Sequence, residues 1–289
     1  MKEKIKQVIA ELVYQLYRMK ILKNEIKVMS IDATLDKLLT TDISIIRFGD
    51  AELEIIEGNS TSFQKADKDL AEQLRSLLTK KTDKILVSIP DIFDSLDMYT
   101  EKSQRFWKEH LLFFRKKYKK YCNDGYVYGN ALVSRCYYMV QNKQQCGLWF
   151  EKTKELWGNR KVVLVEGDIS RNGVDNDLFD NVKSLERIIC PGNNAYSVYE
   201  KVKEVCFTYP KDTLFLLSVG NMAKVLVRDL VEKDYRALDI GNLDMEYYWY
   251  MEGVDYKKHP PKRDYTLSDK NKTAGFEKYL TEIKHVIKE

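Results

Sequence analysis

The sequence predicts an α/β protein built on a Rossmann-like, doubly wound, mostly parallel sheet. Three observations predict it. Continuous apolar runs recur along the chain, such as 84–89 (KILVSI), 161–166 (KVVLVE) and 213–219 (TLFLLSV). They do not alternate with polar residues, so they fit strands covered on both faces. Segments with helical periodicity separate them, which implies parallel strands joined by right-handed crossovers. Glycine-bearing polar turns follow the runs, and open α/β sheets bind ligands beyond the carboxyl ends of their strands.

The elements follow in order. Residues 1–27 read as a helix, because Ile5, Val8, Ile9, Leu12, Val13, Leu16 and Tyr17 recur at helical spacing among lysines. Two destinations stay open for that basic amphipathic helix: packing on its own domain or a sister subunit, or lying on an anionic membrane. Ile43–Phe48 is the first strand and 67–78 a helix. The run 84–89 is the second strand, stopped by Pro90, and 104–121 a long aromatic helix. Residues 126–157 read as two helical pieces. The third strand, 161–166, is stopped by Gly167, and 187–190 is a short fourth. A helix over 194–206 precedes the fifth strand, 213–219, whose own helix is 221–232. The sixth strand is 235–240, with a helix from Asp244. After Glu252 the chain turns polar and ends in a short helix near 274–288, expected as a peripheral flap or arm. Three segments result: 1–27, a main domain over 28–255, and a polar extension over 256–289.

Composition narrows the function. With 289 residues, of which 44% are hydrophobic, the chain can bury a sizeable core. Its 48 basic and 44 acidic residues are interspersed, which is no nucleic-acid-binding signature. Five Cys without CxxC spacing read as reduced thiols, and no run reaches the ~20 residues of a membrane span. With charges recurring through the first 27 residues there is no signal-peptide profile, so a cytoplasmic protein is expected. The three His lack metal-ligand spacing, which disfavours zinc sites and hydrolase triads. Carboxylates, Arg, Lys, backbone amides and a hard cation are left to do the chemistry.

The strand ends carry that chemistry. The first delivers Arg47 and Gly49, then Asp50 and Glu52, two acids one residue apart. Such acids are candidate ligands for a hard cation, or helix-start residues that complement the dipole. The third strand delivers Glu166, Gly167, Ser170, Arg171, Asn176 and Asp177; the fourth delivers Asn193 and Asn194. The fifth delivers Ser218, Gly220 and Asn221 at a helix start, with Lys224 one turn in. Free amides there suit a phosphate. The sixth delivers Asn242 and Asp244, then Glu246. Neither a Walker sequence nor GxGxxG is present. Acids beside phosphate-friendly turns suit a nucleoside diphosphate held through Mn²⁺ or Mg²⁺, and hence a sugar nucleotide.

The blocks RFGDAE (47–52), YGNALVSR (128–135), 165–196, LLSVGNMAKVLVRDL (216–230) and ALDIGNLDMEY (237–247) together resemble the GT-D-type glycosyltransferases, bacterial enzymes once filed as a domain of unknown function. The resemblance covers roughly 28–255. It implies a GT-D sheet, a UDP-sugar donor, most often UDP-glucose, and a surface-glycan or glycoprotein-glycan acceptor. It places the family's DxE motif on Asp50 and Glu52, as metal and catalytic residues, and adds Asn130 and Arg135 as substrate contacts. Where the family often has a His after the sixth strand, this chain has Asn242, which cannot carry a proton at neutral pH. Glu52 is the first candidate for general base, with Asp244 or Glu246 next. Contact with the inner face of a membrane and a homodimer remain open. So do a metal-dependent phosphohydrolase and a non-catalytic nucleotide-sugar-binding subunit.

Overall fold

The apolar runs pair side by side into one sheet. The computed structural model describes residues 2–122, 125–264 and 273–289. In chain order the elements are α1 (Lys2–Arg18), β1 (Lys27–Val28), α2 (Ile31–Thr40), β2 (Ser44–Arg47), α3 (Asp50–Ile56), α4 (Lys68–Thr79), β3 (Ile85–Ile89) and α5 (Glu101–Cys122). Then come β4 (Val127–Asn130), α6 (Lys143–Glu155), β5 (Lys161–Gly167), β6 (Ser184–Cys190), α7 (Tyr199–Cys206), β7 (Leu214–Ser218), α8 (Met222–Glu232), β8 (Arg236–Asp239), α9 (Leu243–Met251), α10 (Ala274–Glu282) and β9 (Ile283–Val286).

The strand order is β1-β4-β3-β2-β8-β7-β5-β6-β9. Every strand-to-strand register is parallel. From β2 the chain moves to β3 on one side, whereas beyond β8 it moves on to β9 at the opposite edge. Neighbouring strands whose connections diverge leave a crevice at their carboxyl ends. The ends of β2 and β8 form that crevice.

Burial explains why these segments became strands and helices. Leu214–Leu217 of β7 are completely covered, as expected for a central parallel strand. Helix α8 packs on β2, β7, β8, α4 and α7, with Val225, Leu226, Val227 and Leu230 fully buried. A helix that is apolar nearly all round belongs in the interior. It brings the β7–α8 turn hard against the end of β2.

The structure departs from the sequence reading in several places. Residues 126–157 do not form two helical pieces: they begin with β4 and only later give α6. Gly129 masks that strand, because a Cβ there would lie 2.4 Å from Ser88 Oγ. Helix α2 was not anticipated, and α3 only as the helix start that was one of two readings of Asp50 and Glu52. The N-terminal helix stops at Arg18, short of residue 27. The last helix ends at Glu282, short of 288, and the chain continues as β9, which pairs in parallel with β6 at the edge of the sheet; residues 265–272 of the 256–289 extension lie outside the described residues.

Helix α1 packs on α5, burying Ala10 and Tyr14. Its opposite stripe, Ile5, Val8, Ile9 and Leu12, stays exposed, as do Phe106 and Phe113 on α5. Among the described residues no helix is long and apolar enough to cross a membrane.

Candidate functional site

The crevice is built around four charged side chains from four elements. Arg47, at the end of β2, donates from Nε to the Asp239 carbonyl at 2.7 Å and from Nη2 to Asp239 Oδ1 at 3.0 Å. It also donates to the Ala131 carbonyl at 3.2 Å, which ties in the turn after β4. Asp239 ends β8. Lys224, one turn into α8, places Nζ 2.9 Å from Glu52 Oε1 and 3.2 Å from Asp239 Oδ2. All four side chains are buried. Burial alone would raise the Asp239 carboxyl, but Arg47 and Lys224 outweigh it and hold that carboxyl below the usual range.

Asp50 and Glu52 both lie in the first turn of α3, so their charges do complement its dipole. Their surroundings differ. Glu52 curls back so that the Gly49 N–H donates to Oε2 at 2.8 Å, the carboxylate half of a capping box. Asn221 Nδ2 donates to its other oxygen at 3.1 Å, beside Lys224. Both oxygens of Glu52 are thus engaged. Asp50, two residues earlier, is exposed on the rim.

A divalent cation that keeps its waters and takes substrate phosphate oxygens needs only one or two protein carboxylates. Asp50 supplies one. Glu52 would join only by exchanging Lys224 for the ion. Among the described residues no group of three or more His, Cys, Asp or Glu stands ready to hold a metal by itself. Asp50 is thus the exposed carboxylate of the pair, suited to an ion that keeps most of its waters.

The β7–α8 turn lies beside this group. Gly220 is exposed at φ +55°, a left-handed conformation that favours glycine. The Ala223 amide turns back to the Gly220 carbonyl at 3.2 Å, and the remaining first-turn amides of α8 lack an intrahelical acceptor, as at any helix start, where an anion is favoured. Ser218 donates to the Gly241 carbonyl at 2.7 Å, joining the ends of β7 and β8. Asn221 is 1% exposed, and its Oδ1 accepts no hydrogen bond among the described residues. A buried acceptor without a donor beside a rim is a natural contact for a ligand hydroxyl.

The other sequence candidates divide. Asn193, Asn242 and Arg135 are exposed, Asn242 at the start of α9 and Arg135 after β4. Asn194, at φ +53°, accepts from Gln64 Nε2 at 2.8 Å and so anchors the loop after α3. Asn130 is buried and caps the turn after β4 through Leu132 N at 2.9 Å. Glu166 is sealed in the interior, 2.6 Å from Arg187 and accepting from Asn172. Gly167 allows close approach of the loop after β6, since a Cβ would lie 2.8 Å from Gly192 Cα. Ser170 is half-buried in the same loop, and Arg171 is buried and donates to the Arg263 carbonyl at 3.1 Å. The loop read as a second anion site is thus filled with its own contacts.

Asp244 is buried, accepting from Gly173 N, Asn176 Nδ2 and Lys262 Nζ at 2.8, 2.9 and 2.7 Å. Asp177 binds the Tyr247 hydroxyl and Lys154, away from the crevice. Glu246 accepts from the amides of Tyr137 and Tyr138, and burial raises its carboxyl. Both acids of this second DxE thus hold loops together.

His110 offers no base either. It is buried beside Tyr118, and burial, with Lys117 nearby, lowers it to about 4. The sequence reading placed Asp239 at the end of the sixth strand without giving it a role, and did not single out Phe63, Gln64 or Lys262. An acid closing the short strand YRALD (235–239) was a usable signal for Asp239; the other three have none, because their partners come from distant loops.

Comparison with known proteins agrees with this architecture. The family model described as glycosyltransferase GT-D fold matches residues 45–267. The chain is 39% identical over 236 residues to "Probable glycosyl transferase Gly" of Streptococcus gordonii, covering 81% of this chain and 34% of that protein. It is 36% identical over 233 residues to "Glycosyltransferase GlyD" of Streptococcus pneumoniae serotype 4 (strain ATCC BAA-334 / TIGR4), covering 80% and 28% respectively. The chain therefore spans about a third of the length of these curated relatives. A solved structure described as a new glycosyltransferase (DUF1792) from Streptococcus sanguinis superposes with a TM-score of 0.83 at 37% identity, covering 91% of this chain and 99% of that one. Another, described as the highly conserved domain of unknown function 1792 with a distinct glycosyltransferase fold, gives 0.84 at 34% identity, covering 97% and 99%.

Proposed function

The chain belongs to the glycosyltransferase family with the GT-D fold, and from that premise we propose that it transfers a hexosyl group, glucose first among the candidates, from a UDP-sugar to a hydroxyl of a glycan or glycoprotein glycan. The observation that carries this reading is the junction of β2, β8 and the β7–α8 turn. There Glu52 meets Lys224 and Asn221 at the β7–α8 turn, with Asp50 and Gly220 both exposed at the rim. The diphosphate sits at the start of α8, where the dipole and the amides favour negative charge.

Asp50 faces the reacting end of the donor. Glu52 is a positioning residue in this reading: through Lys224, Asn221 and Gly49 it fixes α3 against the β7–α8 turn. Arg47 and Asp239 form the floor, and the Oδ1 of Asn221 accepts from a sugar hydroxyl. Mn²⁺ or Mg²⁺, held at Asp50 when bound, would neutralise charge on the departing diphosphate.

We also propose that the protein works in the cytoplasm and that the ridge of α1 and α5 meets an anionic bilayer. Residues 4–27 and 101–122 hold fourteen basic and four acidic residues, against 48 and 44 in the whole chain. Exposed Ile5, Val8, Leu12, Phe106 and Phe113 supply the apolar face. Salt-sensitive co-sedimentation with phosphatidylglycerol vesicles tests this. A stable dimer without vesicle binding would assign the stripe to a second copy instead.

The activity test is a panel of UDP-sugars incubated with glycan acceptors and Mn²⁺, read by mass spectrometry for an acceptor heavier by one hexose. Phosphate release from the nucleotide with no acceptor product would turn the reading toward a phosphohydrolase.

A further inference from the structure

The loop between α3 and α4 holds a side chain that the fold does not bury. Phe63 is 40% exposed, although its neighbour Gln64 is 4% exposed. The loop is firmly built. The Thr61 amide donates to the Gln64 carbonyl at 2.8 Å, and the Ala66 amide to Ser60 Oγ at 2.9 Å. It is also tied to the turn after β6. Asn194 N donates to the Phe63 carbonyl at 2.7 Å, while Asn194 Oδ1 accepts from Gln64 Nε2 at 2.8 Å and from the Lys65 amide at 3.3 Å. The ring edge lies over Gly220: a Cβ on that glycine would be 3.5 Å from both Cδ2 and Cε2. Phe63 is thus an open aromatic surface fixed between the β7–α8 turn and the turn after β6.

Its place along the sheet edge narrows what it meets. Neighbouring strands lie about 4.8 Å apart. The order β2-β8-β7-β5-β6 puts two steps between Asp50 and Gly220, and two more between Gly220 and Asn194. Each span is therefore roughly 10 Å. A sugar nucleotide laid along this edge, with its sugar at Asp50 and its diphosphate at Gly220, carries its base toward β6. The Phe63 ring stands on that path, over Gly220, on a loop whose backbone is held by Asn194. A flat aromatic base needs an aromatic face more than it needs any particular hydrogen bond.

We propose that Phe63 is the stacking surface for the nucleobase of the donor. The assignment rests on the sugar-nucleotide reading given above. It makes Phe63 a source of affinity, because stacking accepts any base; selection of uracil falls to polar groups around it, and the exposed Asn193 beside Asn194 is the nearest candidate.

Calorimetric titration of UDP in the presence of Mn²⁺ tests the proposal on wild type, Phe63→Ala, Phe63→Leu, Phe63→Tyr and Phe63→Trp. The ring is exposed, so each variant should keep the far-UV spectrum and melting temperature of wild type. UDP affinity is expected to fall at least ~5-fold in the Ala and Leu variants, and to stay within about twofold in the Tyr and Trp variants. Leu separates the two roles, since a loop that needs only an apolar anchor is satisfied by it. Wild-type affinity in Phe63→Leu or Phe63→Ala overturns the proposal, as does equal loss in all four variants. A wild-type protein that binds no UDP at all is a different result: it removes the sugar-nucleotide reading and this assignment together.

Discussion

Replacing Lys224 by Met removes the cation that joins Glu52 to Asp239 while keeping most of the side-chain volume. In the wild type Nζ lies 2.9 Å from one carboxylate and 3.2 Å from the other, and it also donates to the Gly220 carbonyl at 3.0 Å. At an effective dielectric constant of about 20, each charge pair is worth roughly 5 kcal/mol before desolvation. Desolvation cancels much of that, and breaking a buried pair by removing one partner costs about 3–5 kcal/mol, because a buried carboxylate is left behind. Here two are left. Arg47 still neutralises Asp239, and Asn221 and Gly49 still donate to Glu52, so the lower half of that range is expected. Even that is a large part of the roughly 5–15 kcal/mol that holds a domain together. Urea unfolding followed by circular dichroism at pH 7 measures it.

The pH dependence has a definite sign. The Asp239 carboxyl is held below its ordinary value of 3.8, so its contribution is complete above that value and is lost as pH falls through the folded-state value. The gap between wild type and Lys224→Met should therefore narrow in acid. A loss under about 1 kcal/mol at pH 7, or a gap that widens in acid, would refute the assignment of Lys224 as the central cation.

Further outcomes follow from the same geometry. In Gly241→Ala the new Cβ would sit 1.8 Å from Arg47 Nη2 at a φ of +45°, so Arg47 must leave Asp239 and stability should drop by roughly 3 kcal/mol or more. Gly58→Ala, at φ +86° with nothing within 4 Å, should cost only about 1 kcal/mol, and equal losses in the two urea curves would count against the Arg47 contact. Burial beside Asp94 raises the Asp91 carboxyl from 3.8 to about 7. The folded state then binds the proton more tightly than the unfolded chain, so Asp91→Asn should stabilise increasingly from pH 4 to 7 and by about 1–3 kcal/mol above that. A pH-independent difference in melting temperature would contradict it. Excess chelator should weaken UDP binding measured by calorimetry; an unchanged affinity would remove the metal from the proposal.

The sheet was legible because its central strands are nearly pure apolar runs. KVVLVE is buried after its first residue and TLFLLSV is buried but for Ser218, and their spacing leaves room for crossovers. Strand β4 was not, since VYGN carries a glycine that serves close approach to Ser88 rather than packing. Strand β9 was hidden for the opposite reason: IKHV lies at an edge, is mostly exposed, and has the polarity of a helix end. The rim itself was readable as a series of polar strand ends, and Glu52, Asn221, Lys224 and Arg47 do come together there, the last two on Asp239. The division of labour between the two acids was not readable. Local sequence gives Asp50 and Glu52 the same chemistry, and only Lys224 and Asn221, brought in by α8, turn Glu52 inward. Lys262 shows the same limit, because a lysine in a polar tail gave no sign that it ends buried against Asp244.

The most direct test of the central claim is the turnover of UDP-glucose with Mn²⁺ and a glycan acceptor, compared between wild type and Asp50→Asn, with urea stability measured on the same preparations. The exposed carboxylate should be needed for sugar transfer and not for the fold, so UDP release and acceptor labelling should collapse while the unfolding midpoint stays where it was. Transfer at the wild-type rate in Asp50→Asn would mean that the reaction takes place elsewhere on the molecule.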